Sequence, residues 1–158
     1  MSHPASEEDR ADWHRRFGST ANNRAWDLLE ESDPDLAELL DCAHAAAWHW
    51  RQVGSDLQKM RALMLLAAAH ARAALGAIAF AEAEAVRTYF MEVADAPDWE
   101  LAFTHLIHAH AAWADGRATT HADSWRHAAE AIEVIADEED RGIVERVWRH
   151  VPRPASMS

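Results

Sequence analysis

Eleven histidines in 158 residues are the main chemical resource of this sequence. His105 and His108 are three apart in an apolar run, so on a helix they share a face with Leu101 and Ala112. Asp41 and His44, also three apart, form a carboxylate-x-x-His pair of the kind found on the helices of metal-carrying bundles. His70 stands among Leu63, Leu66 and Ala74. Neutral imidazoles bind zinc and other first-row metals. A convergence of His44, His70, His105 and His108 would therefore build a metal or small-ligand site, with Asp41 or Glu100 completing it or orienting a ring. The ordinary behaviour of a helix histidine weighs against this, because such a ring usually donates one N–H to a carbonyl or hydroxyl of the next helix. At this histidine content, pairs three or four apart also arise by chance, and the His-Glu-x-x-His spacing is absent. The expectation is accordingly no metal and no cofactor.

Other chemistries find less support. Cys42 is the only cysteine, so neither an internal disulfide nor a thiolate metal cluster can form. His44 is two residues on and points elsewhere on a helix, which leaves Cys42 as an inert thiol. There is no glycine-rich phosphate loop and no Gly-x-Ser-x-Gly elbow. The acids Asp137 to Asp140 read as helix-start chemistry and solvated surface, since an EF-hand loop needs spaced ligands around an internal glycine. No catalytic residue is assigned, and the chain is not expected to be an enzyme. Trp48, Trp50, Trp99 and Trp113 could line a ligand groove, but Trp50 and Trp113 fall on apolar stripes and read as core. Trp48 lies off the stripe beside His44 and Arg51, which makes it the better wall for a concave face.

The elements that would position these residues are all helical. Asp98 to Gly116, DWELAFTHLIHAHAAWADG, has a start at Asp98, a stop at Gly116 and almost only apolar or histidine residues between them. It reads as a helix packed on most sides. A polar helix is expected from Glu7 to Phe17, ended by Gly18-Ser19-Thr20, then a short one capped by Asn22 or Asn23 and running through Glu31. Ser32-Asp33-Pro34 opens a third, to Val53, with Leu36, Leu40, Ala43, Ala47 and Trp50 as its stripe. Ser55-Asp56 caps a fourth, to Leu75; Gly76 follows, and a fifth runs from Ala77 to Val93. After Gly116, Thr119 or Thr120 caps a helix to Ile135, and a last one reaches His150. No stretch alternates with the two-residue period of a half-buried strand. The expectation is an all-α chain of about seven or eight helices in antiparallel hairpins, stacked as a short tetratricopeptide-like solenoid. Its domains are residues 1–20 as an N-terminal tail and polar helix, 21–152 as the helical domain and 153–158 as a flexible tail. Gly76 and Gly116 are expected to mark the same place in two successive hairpins, which gives a repeat of roughly 40 residues.

Several motifs in order also carry a resemblance: Asn22-Asn23-Arg24-Ala25-Trp26, Ala43-His44-Ala45-Ala46-Ala47-Trp48-His49-Trp50, the Val53-Gly54 turn, Pro97-Asp98-Trp99-Glu100-Leu101-Ala102-Phe103 and Ala136-Asp137-Glu138-Glu139-Asp140-Arg141. Over Asn22 to Pro152 the chain resembles a family of small bacterial proteins described as tetratricopeptide-like. Trp48 stands where that family often has tyrosine before the His-Trp pair. The resemblance implies stacked helical hairpins and transfers no functional residue.

A formal net charge of −12, with Lys59 the only lysine, argues against nucleic acid and anionic membrane as partners, since both need a Lys/Arg surface. The acidic, polar start lacks the apolar core of a signal peptide, and one cysteine fits a reducing, cytoplasmic setting. The leading expectation is a protein- or peptide-binding module, its partner carrying a basic segment. The groove residues expected are His44, Trp48, Arg51, His70, His105 and His108. Homo-oligomerisation is a further expectation, because a short solenoid leaves apolar end faces that need a cap or a second subunit.

Overall fold

A helix begins where a side chain can accept from the free N–H groups of its first turn. The computed structural model describes residues 5–155 and shows that rule at four starts. Ser6 accepts from the Asp9 amide, and Asp9 returns the bond to the Ser6 backbone, opening α1 (Glu7–Glu30). Asp35 caps α2 (Leu36–Val53) through the Glu38 amide. Ser55 and Gln58 cap each other's backbone at α3 (Asp56–Arg72). Asp137 accepts from Glu139 and Asp140 at α7 (Glu138–Trp148). The remaining helices, α4 (Gly76–Glu92), α5 (Asp98–Ala114) and α6 (Ala118–Glu133), start without a side-chain cap. Among the described residues there is no strand, and no helix is long and apolar enough to cross a membrane.

Three expectations of the sequence are corrected here. Gly18 does not stop a helix: α1 runs unbroken through it, with Asn22 and Asn23 inside rather than at a cap. Gly18 is buried, and a Cβ there would lie 3.2 Å from the Trp50 ring and from the His49 Cβ, so the glycine lets α1 and α2 approach closely. Thr119 and Thr120 sit inside the first turn of α6, because the turn after α5 closes through Arg117 N–H to the Ala112 carbonyl and the next helix starts at once. The repeat of roughly 40 residues is present, but Gly76 and Gly116 do not mark the same place in it. α3 begins at Asp56 and α5 at Asp98, α4 at Gly76 and α6 at Ala118, so both helices recur at a spacing of 42. Ala74, at φ 57°, takes the left-handed position that Gly116 takes at φ 71°.

Consecutive helices pack on one another as stacked antiparallel hairpins. The odd-numbered helices also touch: α1 meets α3, α3 meets α5, α5 meets α7, and α7 returns to α1. Arg146 on α7 donates to Glu30 at 2.8 Å, and His150 donates to the Glu30 carbonyl at 2.9 Å, tying the last helix to the first. The even-numbered helices α2, α4 and α6 lie outside this ring and do not touch one another. α5 is the most enclosed element, buried almost continuously from Ala102 to Ala112 with neighbours α3, α4, α6 and α7. Its small residues Ala102, Ala109, Ala111 and Ala112 have no exposed surface, nor do Ala67 and Ala69 of the neighbouring α3, and small side chains on both helices let their axes approach.

At the C-terminal side, the chain stays packed past residue 152. The Arg153 guanidinium lies 5.2 Å from the Trp125 ring centre and Pro154 is buried. Of the tails expected within 1–20 and at 153–158, residues 1–4 and 156–158 lie outside the described residues.

Candidate functional site

The ring of odd helices lines a half-open pocket of about 420 Å³, within the range of small-ligand sites. Each of the four helices contributes to its wall. Trp26 comes from α1, Arg61 and Met64 from α3, Trp99, Glu100 and Phe103 from α5, and Asp140, Ile143 and Val147 from α7. Helical spacing explains the choice: Trp99 and Phe103 are four apart, as are Asn22 and Trp26, so each pair shows one helix face to the centre. Trp26 and Phe103 rings lie 5.0 Å apart across the α1–α5 side, and Trp99 meets Phe103 edge-on.

One ion pair organises the polar side. Glu100 is 2% exposed, and Arg61 grips both its oxygens, Nε to Oε1 at 2.5 Å and Nη2 to Oε2 at 3.1 Å. This bidentate contact raises the Arg61 pKa, the bond outweighing the burial that opposes it. The same guanidinium lies 5.4 Å from the Trp99 ring centre. Glu30 and Asp140 complete an acidic rim, Glu30 already shared with Arg146.

None of the six groove residues expected from sequence lines this pocket. They fall at separate places on the side of the even helices. His44 is exposed on α2, and its Nε2 lies 3.2 Å from Nε2 of the buried His70 on α3. His70 Nδ1 donates to Glu82 on α4 at 2.7 Å. Burial raises the Glu82 pKa, and its bond to His70 only partly offsets that. His108 is bridged between Glu84 on α4 and the Ser124 hydroxyl on α6, the latter at 2.7 Å. Burial lowers its pKa despite Glu84, so the neutral ring donates to Glu84 and accepts from Ser124. His105 faces His127, ring centres 5.5 Å apart, and burial pushes its pKa to about 4. Trp48 is half-exposed against His14 and His49, and Arg51 is exposed at the end of α2.

The four histidines thus do not meet at one point. Only His44 and His70 come together, and among the described residues no three His, Cys, Asp or Glu side chains form a group able to hold a metal. Trp113, expected in the core, is 46% exposed at the last turn of α5, whereas Trp50 packs against the core as expected. The pocket did leave one signal in the sequence. Glu100 is an acid in the first turn of the most apolar helix, and a buried carboxylate demands a cationic partner. Nothing local names Arg61 as that partner, 39 residues away.

Compared with known proteins, the chain matches no family model, no curated protein and no solved structure.

Proposed function

We propose that this chain is a tetratricopeptide-like binding module, not an enzyme, whose central pocket receives a cationic side chain presented by a partner protein. The observation that carries this reading is the composition of the pocket wall. Trp26, Trp99 and Phe103 supply aromatic faces, and beside Glu30 and Glu100, which Arg146 and Arg61 already hold, Asp140 supplies a further carboxylate. A lysine or arginine side chain gains from both, by charge attraction and by stacking on indole, worth about 0.5–2 kcal/mol for the latter. Arg61 over Trp99 is an internal example of the same contact. The net charge of −12 favours encounter with a basic segment.

The contact of α7 with α1 limits what fits. An open groove accommodates an extended peptide along several hairpins, whereas this ring leaves room for one or two side chains.

The test is a titration with short arginine- and lysine-containing peptides against matched peptides carrying citrulline and acetyl-lysine, followed by the indole N–H resonances of Trp26 and Trp99. Basic peptides should move those two resonances, with affinity falling as salt rises and lost on Trp99→Ala. Equal binding of the neutral peptides, or binding that leaves both indoles unmoved, overturns the reading.

A further inference from the structure

The geometry points to a two-histidine site for a divalent first-row cation, zinc foremost, formed by Nε2 of His44 and Nε2 of His70 on the α2–α3 side of the stack. It is independent of the central pocket, whose wall includes neither residue.

The argument is metrical. Zinc–nitrogen bonds of about 2.0–2.1 Å at a tetrahedral angle place two imidazole nitrogens about 3.3 Å apart and their ring centres about 5.2 Å apart. The nitrogens of His44 and His70 are 3.2 Å apart and the ring centres 5.0 Å apart. A straight N–H···N bond along both ring axes would hold the centres at about 5.5 Å for that nitrogen separation. The rings are therefore not collinear, and both separations lie within about 0.2 Å of those that a shared tetrahedral cation requires.

The carboxylate behind His70 adds a chemical argument. Glu82 accepts from Nδ1–H at 2.7 Å, which fixes the tautomer and leaves the Nε2 lone pair of His70 free of a proton. That is the carboxylate–histidine–metal arrangement of metalloprotein sites, in which the outer carboxylate orients the ring and raises its basicity. His44 is exposed, so it can move its remaining proton to Nδ1 and turn its Nε2 lone pair to the cation at little cost. With no third protein ligand among the described residues, the other positions are open to water or to an external donor, and affinity is modest.

The second close histidine pair is a built-in control. His14 and His49 approach through their Nδ1 atoms at 2.9 Å, shorter than a tetrahedral edge, and no carboxylate holds either ring among the described residues.

The test uses the untagged full chain and Zn²⁺ alone, titrated in competition with a chromophoric chelator. One zinc should bind per chain. His44→Ala, at an exposed position that leaves the fold intact, should weaken binding at least about tenfold, and Glu82→Gln by about tenfold through the loss of ring basicity. His14→Ala should leave the affinity unchanged. In spectra of the unaltered protein, the ring C–H resonances of His44 and His70 should shift on zinc addition and those of His14 and His49 should not. Absence of saturable binding, an unchanged affinity in His44→Ala, or loss of binding in His14→Ala overturns the inference.

Discussion

Glu100 and Arg61 come from helices α5 and α3, and the Glu100 side chain is buried while that of Arg61 is 41% exposed at the pocket wall. Such a pair is asymmetric. Removing the arginine leaves a buried charge without its counter-ion, whereas removing the acid leaves a guanidinium that can reach water. Arg61→Met should cost about 2 kcal/mol, less than for a fully buried pair because water reaches the site. The double variant Arg61→Met with Glu100→Met should recover most of that loss. Urea unfolding of the two single variants and the double variant checks both statements, and a double variant as unstable as Arg61→Met would contradict them.

Ala74 and Gly116 hold the same left-handed place in successive hairpins, one with a side chain and one without. For an L-residue with a Cβ that conformation costs about 1 kcal/mol. Ala74→Gly should therefore stabilise the protein by up to about 1 kcal/mol, and Gly116→Ala should destabilise it by a similar amount. Thermal melts of the two variants should move in opposite directions.

A Cβ on Gly76 would lie 2.3 Å from the Ala114 carbonyl oxygen, backbone that cannot step aside. Gly76→Ala should cost about 3 kcal/mol by forcing α4 away from the end of α5. Gly142, inside α7, has only Nη1 of Arg146 near it, at 3.6 Å, an ordinary contact. Gly142→Ala should gain about 0.5–1 kcal/mol through helix propensity alone. Chemical unfolding of both variants separates a close approach from a dispensable glycine.

His105 and His110 give the fold a pH dependence of known sign. Both are pushed to about 4 when folded, against 6.5 for the free ring. Burial is the main cause for each. His127, Arg87 and His108 add to it at His105, with Glu130 opposing, and Arg72, His121 and His150 add to it at His110. The folded pKa lies below the unfolded one, so the unfolded chain takes up protons first as pH falls. Stability from these rings should be complete above 6.5, decline between 6.5 and 4, and change no further below 4. Unfolding free energies across that range, in the unaltered protein and in His105→Gln with His110→Gln, should show a shallower decline in the variant.

How much of this was legible in the sequence depends on the distance over which each decision is made. The caps at Ser55 and Asp137 and the enclosure of α5 were readable because a side chain and its own helix settle them. Gly18 misled because its helical penalty, about 1 kcal/mol, is offset by packing against Trp50, a residue of the next helix. Gly76 and Gly116 do not correspond because the left-handed turn, which glycine commonly marks, is made at Ala74 without one. His44 and His70 could be named as candidates from residue type. Their meeting, and the separation of His105 and His108 from them, is decided by which faces of α2, α3 and α4 oppose one another. The pocket residues Trp26, Arg61, Trp99 and Asp140 are scattered over four helices and share no local pattern.

The bonds from Arg146 and His150 to Glu30 span 116 and 120 residues. A stack of hairpins open at both ends melts from those ends, each terminal repeat exchanging its amide hydrogens ahead of the middle. Here the first and last helices brace each other, so neither is a free terminus, and protection from exchange should be spread evenly over α1, α3, α5 and α7. The closure also fixes the number of hairpins. Another pair of helices could not be inserted without opening the contact between α1 and α7, so this architecture cannot grow by duplication as an open array does.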